Sequence, residues 1–397
     1  MKILIVNSYY YPNMIGGAEF SIKILAENLA AKGHEVSVLS MDGKPETEVL
    51  DFYEINKVKV FRSYSKSLYR RRLQKKKYLK DKIWNGIHSI WNFKMNKDVR
   101  KVVDMIEPDI IHTQNLVSMS YWIWKYAKSK NIPVVHTLRD YWLLDPTTNI
   151  GQTSEPLVRY FRKYHRYMSD NYVTMVTAPS DRTLEIFKDN NYFSGCPAVR
   201  VVNAIPLNYE LLTECLKEKS ERDENKISFI FAGHLSENKG IKILINAFLK
   251  SNTEASLIIC GTGELEEWIR EKKDKRIIML GRLRQQDLFE QYRKADVQIV
   301  PSVWEEPFGR IVIEAAQYGL PTIGSNRGGI PEIIKQLQYG VVYDVSEDRL
   351  IELIKKYSNR EYLRKIYALG PQNLEKYSIE NQIADFEKLY EKVCKGE

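Results

Sequence analysis

Cysteine is scarce and scattered. Cys196, Cys215, Cys260 and Cys394 show no CxxC spacing and no histidine cluster beside them. That argues against a zinc site or a disulfide framework and fits a reducing compartment. Long apolar runs are missing as well. No window approaches the roughly 18 uninterrupted apolar residues of a membrane-spanning helix. The N-terminal MKILIVNSYYYP has no small-residue cleavage site, so it reads as a buried first strand and not as a signal peptide. Short repeats and low-complexity tracts do not occur. Also absent is G-x-G-x-x-G after that first strand, where the loop is long and reads NMIGGAE. A nicotinamide dehydrogenase would need the glycine pattern there.

What is present suits a folded protein of two domains. The chain has 397 residues, 44% of them apolar and 28% charged, enough for each of two domains to bury its own core. Net charge is +9, and the excess is uneven. Arg62 to Lys82 holds ten Lys/Arg and one acid, Asp81, in 21 residues, with Tyr64, Tyr69, Tyr78, Trp84 and Trp91 interleaved or just beyond. A second basic-aromatic stretch, RYFRKYHRY, spans Arg159 to Tyr167. Such stretches are either solvated helical faces or attract an anionic membrane surface. Nucleic acid is not expected as a partner, being suggested only by these basic stretches; steep salt-dependent affinity for generic duplex would be its mark.

Periodicity gives the organisation. Lys2–Asn7 is a β-type run; Ala18–Ala31 has apolar residues at helical spacing, with Gly33 where a C-cap belongs; His34–Ser40 is β again. This is the opening unit of a parallel sheet. Two further short strands are expected at Asp109–His112 and Pro133–Leu138, with a helix around Tyr121–Lys128 between them, and another strand at Val173–Ala178. Near residue 205 the alternation restarts with ISFIFAG, and strands follow at Ser256–Cys260, Ile277–Leu280, Val297–Val300, Pro321–Ile323 and Val341–Tyr343. The last stretch, Ile379–Val393, is amphipathic. The reading is an α/β chain of two consecutive Rossmann-like halves with parallel sheets, residues 1–205 and 206–375.

Ligands of open α/β sheets bind beyond the carboxyl ends of the strands, so the loops there carry the chemistry. After FIFAG come His234 and then Lys239-Gly240, which open a helix where free N–H groups and a Lys suit phosphate. Gly261 and Gly263 make a Gly-rich turn into the next helix, open to close ligand approach. The segment PSVWEEPFGRIVIE, Pro301–Glu314, carries the strongest signal: a helix entry at Gly309 exposes the amides of Phe308, Gly309 and Arg310, with carboxylates at Glu306 and Glu314. Two carboxylates suit the paired hydroxyls of a ribose and a sugar ring. The competing reading of Glu314 is an i,i+4 surface pair with Arg310, worth a few tenths of a kcal/mol; that of Glu306 is a solvated loop acid.

From Phe229 to Tyr343 the chain resembles the donor-binding domain of retaining GT-B glycosyltransferases, the group 1 or family 4 type. The matching pieces are Lys239-Gly240, GTGEL, LGRL, the Glu-x7-Glu pair Glu306 and Glu314, and SNRGGIPEII. The first half is similar through Gly16-Gly17-Ala-Glu, DIIHTQN and HTLRDYWLLDP. The resemblance implies a GT-B fold, two Rossmann-like domains facing across a cleft, with the helix of residues 376–397 packed back on the first. It implies transfer of a hexose or N-acetylhexosamine with retention, from a nucleotide diphosphate sugar, UDP on family frequency, to a saccharide acceptor. Glu314 would bind ribose and Glu306 the transferred sugar. Lys239 would neutralise the diphosphate, Gly16 and Gly17 would close over it, and Arg282 and Leu283 of LGRL would flank the base. Neither metal nor cofactor is implied, because basic groups and helix dipoles stabilise the leaving diphosphate.

Two positions depart from the family. His234 stands where Arg is common, and Arg139 replaces the His of T-L-H-D-Y while Asp140 and Tyr141 remain. The first would weaken diphosphate binding, or let Arg282 or another basic group substitute. The second favours a mechanism in which the leaving phosphate deprotonates the acceptor. Together with Glu306, Asp140 and Arg139, His112 at a strand end is a candidate polar group of the catalytic region, or simply a satisfied strand-end histidine. Other readings are a catalytically impaired partner subunit keeping the fold and a nucleotide-sugar epimerase. A cytoplasmic location follows, with a peripheral hold on the inner membrane face, where a lipid-linked acceptor of surface polysaccharide assembly resides, as the hypothesis that the basic stretches raise.

Overall fold

A computed structural model describes residues 1–14, 16–44, 48–50, 52–65, 87–88, 90–117, 119–145, 156–223 and 226–396. It divides into two compact units: Met1–Ala204 with Ile379–Glu397, and Ile205–Ser378. Most of the basic segment from Arg62 to Lys82, with Tyr69, Tyr78 and Trp84, lies outside the described residues. No helix among the described residues is long and apolar enough to cross a membrane.

The first unit is built on eight strands: β1 (Lys2–Asn7), β2 (Glu35–Ser40), β3 (Phe52–Ile55), β4 (Val58–Arg62), β5 (Ile110–Thr113), β6 (Val134–Thr137), β7 (Met175–Ala178) and β8 (Ala198–Arg200). Their order is β3-β4-β2-β1-β5-β6-β7-β8. Every pairing is parallel except that of β3 with β4. The β3–β4 hairpin was not foreseen; it turns at Asn56-Lys57, both at positive φ, the backbone that a tight right-twisted hairpin demands. Strand order reverses between β1 and β5, making a topological switch point.

β1 is buried from Ile3 onward, as a central parallel strand covered on both faces must be. Helix Gly17–Ala31 lays Ile22, Leu25 and Leu29 on the sheet, and helix Ile379–Lys395 adds Ile383, Phe386, Leu389, Tyr390 and Val393 to the same core. A chain segment that lies beyond the second unit in sequence therefore completes the first. Each such side chain contributes about 1.5–3 kcal/mol by leaving water.

Arg62 is not part of a surface basic patch. It is buried and paired with the enclosed Asp42, while Ser40 donates to Asp42 at 2.7 Å. Arg62 Nη2 also donates to the Tyr11 carbonyl at 2.7 Å, so β4 pins the loop that leaves β1.

In the second unit six parallel strands, β9 (Ser228–Ala232), β10 (Ser256–Cys260), β11 (Ile277–Gly281), β12 (Val297–Val300), β13 (Thr322–Ser325) and β14 (Gly340–Tyr343), run in the order β11-β10-β9-β12-β13-β14. The reversal falls between β9 and β12. A core of Phe229, Leu244, Phe248, Leu257, Val297 and Leu353 fills one side of the sheet. Asp296, buried where β12 begins, accepts from Arg360 Nη1 at 2.6 Å, Arg222 Nη1 at 3.1 Å and the Ser228 amide at 2.8 Å.

Candidate functional site

The switch point of the second unit gathers the residues of the strongest sequence segment. Lys239, in the loop after β9, and Glu306, in the loop after β12, form an ion pair. Ser302 Oγ and Trp304 Nε1 each donate to the same Glu306 oxygen at 2.9 Å. The Lys239 ammonium also lies over the Trp304 ring, 5.2 Å from its centroid. Glu306 is thus a held carboxylate whose side chain is only 13% exposed, not a solvated loop acid.

Gly240 keeps this geometry possible. Its φ is +70°, and a Cβ there would lie 1.9 Å from the carbonyl oxygen of Pro301, so only glycine lets the two loops meet. The glycines of the loop after β10 have a similar cause. A Cβ on Gly261 would stand 1.8 Å from Gly233 O and one on Gly263 2.4 Å from Leu235 O. Loop-on-loop packing, not ligand approach alone, requires them.

The helix Arg310–Gln317 starts after Gly309 and carries Glu314 into the interior. Arg310 Nε donates to Glu314 Oε1 at 2.7 Å, with the two side chains 10% and 11% exposed. The i,i+4 pair exists, but it is buried and not a surface contact. Burial pushes the Glu314 pKa up from its usual 4.5, against the opposing pull of Arg310. Phe308 is buried and packs toward Tyr377, with centroids 6.1 Å apart.

Glu305 was passed over in the sequence. It accepts from the Gly328 amide at 2.8 Å, while the Gly329 amide donates to the Glu306 carbonyl at 2.8 Å. The SNRGG loop after β13 is thereby tied to the glutamate loop. The doubled Glu before Pro307 was the available signal, but two adjacent loop acids do not reveal which one faces a neighbouring backbone.

Other expected donor residues lie toward the rim. His234 is well exposed and 3.3 Å from Glu264. Arg282 is exposed, and Leu283 packs, partly buried, against the apolar cluster that includes Tyr292 and Leu320. All follow the carboxyl ends of β9 to β11.

In the first unit the loops after β1, β5 and β6 are stitched together at the other switch point. Asn7 Oδ1 accepts from the Asn115 amide at 2.9 Å, and the Asn115 side chain donates to Asp140. Asp140 also accepts from the Trp142 amide at 2.9 Å. Arg139, half-buried, donates to Gln114 and Asn203. Gly16 and Gly17 are exposed at the start of helix Gly17–Ala31, the Gly16 amide donating to Glu19 at 2.8 Å.

His112 does not line an open surface. It is fully buried, with Nδ1 2.6 Å from the Tyr390 hydroxyl and Nε2 2.6 Å from Thr137 Oγ1. Burial, with Arg139 nearby, holds its pKa well below the ordinary 6.5. The geometry is that of the satisfied strand-end histidine, which leaves no ring nitrogen for a substrate.

Comparison with known proteins bears on the family and the fold. Residues 213–369 match the model of the glycosyl transferases group 1, and residues 15–209 that of glycosyltransferase family 4. The chain is 29% identical, over 92% of its length and all of the relative's, to an uncharacterised protein of the cps region of Klebsiella pneumoniae. In structure it resembles sucrose-phosphate synthase of Thermosynechococcus elongatus, with a TM-score of 0.76 at 17% identity over the whole of both chains. Anabaena HepE, solved with UDP-glucose, matches with a TM-score of 0.66 at 16% identity, covering 98% of this chain and 99% of its own. The fold is GT-B, of two parallel-sheet α/β domains. The chain belongs to the glycosyltransferases of the group 1, family 4 type.

Proposed function

We propose that this glycosyltransferase moves a hexose or N-acetylhexosamine, with retention of anomeric configuration, from a UDP-sugar to a saccharide acceptor carried on a lipid. The observation that carries the reading is the Lys239–Glu306 pair at the β9/β12 switch point, beside the helix that begins after Gly309. A cation and a helix N-terminus together suit a diphosphate, and a carboxylate fixed by Ser302 and Trp304 suits sugar hydroxyls. Glu314 would take the ribose hydroxyls, and Arg282 and Leu283 would flank the base. That HepE was solved with UDP-glucose supports UDP as the carrier, and the cps-region relative supports polysaccharide assembly.

In the step itself the bond from the anomeric carbon to the diphosphate oxygen breaks. Lys239 and the helix terminus take up the developing charge. The acceptor oxygen bonds to the same face of that carbon, and its proton passes to the leaving phosphate. No side-chain base is needed, so a satisfied His112 and an arginine at 139 are compatible with the chemistry, and so is a metal-independent mechanism. Arg139 and Asp140, fixed by Gln114, Asn203 and Asn115, would orient the acceptor side.

The test is thermal unfolding with UDP, GDP, dTDP and ADP, for wild type and Glu314→Ala. A ligand at 100 times its Kd stabilises by about 2.7 kcal/mol. UDP should shift the wild type and leave the variant unmoved. If no nucleotide acts and no donor is hydrolysed, the impaired partner subunit takes over as the reading.

A further inference from the structure

The second basic-aromatic stretch and the residues around Trp91 play no part in the transfer chemistry, and the first unit brings them together. Helices Phe93–Ile106, Trp122–Ser129 and Pro156–Tyr172 border an open groove of about 440 Å³, lined by Trp91, Phe93, Trp122, Lys125, Tyr164 and Tyr167 among others. Its rim is unusually exposed for such side chains: Phe93 is 72% accessible, Trp91 64% and Tyr167 55%. Tyr160, at 61%, continues the row one helical repeat before Tyr167.

Cations alternate with these rings. Lys94 and Lys97 are exposed on the first helix, Lys125 on the second, and Arg159 and Lys163 on the third. The exposed acid of the first helix, Asp104, sits near its far end and pairs with Lys130 at 2.8 Å. Aromatic rings that stay wet at one end and apolar in body, interspersed with Lys and Arg, match the boundary of an anionic bilayer. Singly exposed apolar side chains are ordinary, but aromatic rings gathered on one face mark an interaction surface.

We propose that this three-helix face docks the enzyme on an anionic membrane surface, with Trp91 and Phe93 entering the headgroup layer and the lysines meeting lipid phosphates. The inference stands apart from the transfer reading, because docking needs neither donor nor acceptor.

The experiment is flotation of the full chain with phosphatidylcholine vesicles containing or lacking phosphatidylglycerol, without nucleotide. Wild type should float with the anionic vesicles and lose binding with added salt. Replacing Lys94, Lys97 and Lys125 by Gln should weaken binding roughly 100-fold, about fivefold for each cation near the surface. Trp91→Ala with Phe93→Ala should weaken it as well, while an unchanged circular-dichroism spectrum and unchanged amide exchange in the first unit report an intact fold. Equal binding to neutral vesicles overturns the proposal. So does binding lost only on replacing Arg70–Arg72 and Lys75–Lys77 by Gln, with the helical variants unaffected. A wild type that ignores vesicles, while its tryptophan fluorescence titrates with maltoheptaose, overturns it in favour of a saccharide subsite.

Discussion

At the scale of single residues, the site turns on one carboxylate oxygen. Glu306 Oε1 receives Lys239, Ser302 and Trp304 together, so its position is over-determined, and in its proposed role at the transferred sugar little ordering would remain to be done in the transition state. Lys239→Met would remove the cation and leave the carboxylate with two neutral donors. The expected result is a fall in kcat/KM on the order of 10²–10³, read by donor hydrolysis and transfer, with circular dichroism unchanged. Glu314 makes a pH prediction. Burial raises its pKa above the ordinary 4.5, and only the ionised form offers all its acceptor sites to two ribose hydroxyls. UDP affinity should therefore drop on acidification at pH values above 4.5, and Glu314→Gln should bind more weakly but with a flat pH profile; calorimetric titration across pH checks both.

At the scale of elements, loops and strand starts are tied by buried polar groups. Asp296 joins the start of β9 to that of β12 and to helix Arg360–Leu369, through Ser228, Arg222 and Arg360. Asp296→Ala would strand a buried guanidinium, at a cost of about 3–5 kcal/mol, measurable by urea unfolding. The same scale shows what a linear reading sees poorly. Strands such as Ser256–Cys260 and Val297–Val300 have the bounds that their mostly apolar runs mark, because a strand covered on both faces is largely apolar, with Gln298 admitted only as a hydrogen-bonded exception. The β3–β4 hairpin went unread because Asn-Lys is not the Asn-Gly signal, and its outer strand is mostly exposed. Helix Phe93–Ile106 was hidden by its lysines, which dominate the pattern although Met95, Val99, Val102 and Val103 form a regular buried stripe.

At the scale of the molecule, the C-terminal helix links chain order to stability. Truncation after Ser378 would remove Ile383, Phe386, Leu389, Tyr390 and Val393 from the core of the first unit and leave His112 without its Tyr390 partner. The first unit should then unfold or aggregate, while residues 205–378 still bind UDP; hydrogen exchange resolved by segment would separate the two. In the intact chain, UDP should protect amides chiefly in the loops after β9, β12 and β13. Uniform protection of both units would contradict the assignment of the nucleotide to the second.

The sequence by itself determined the α/β class, the alternation of strands and helices in both halves, and Lys239, Glu306 and Glu314 of the loops and helix after β9 and β12. These are local properties: period, loop glycines and residue type at fixed spacing along one segment. The tertiary structure alone decided what each side chain meets. It set Arg62 against Asp42, enclosed His112 between Thr137 and Tyr390, buried the Arg310–Glu314 pair and gave Glu305 the Gly328 amide. Each of these contacts except the i,i+4 pair joins residues 20 or more positions apart. Burial and partner change a polar side chain from a solvated group into a fixed one, and neither is written in the neighbouring residues.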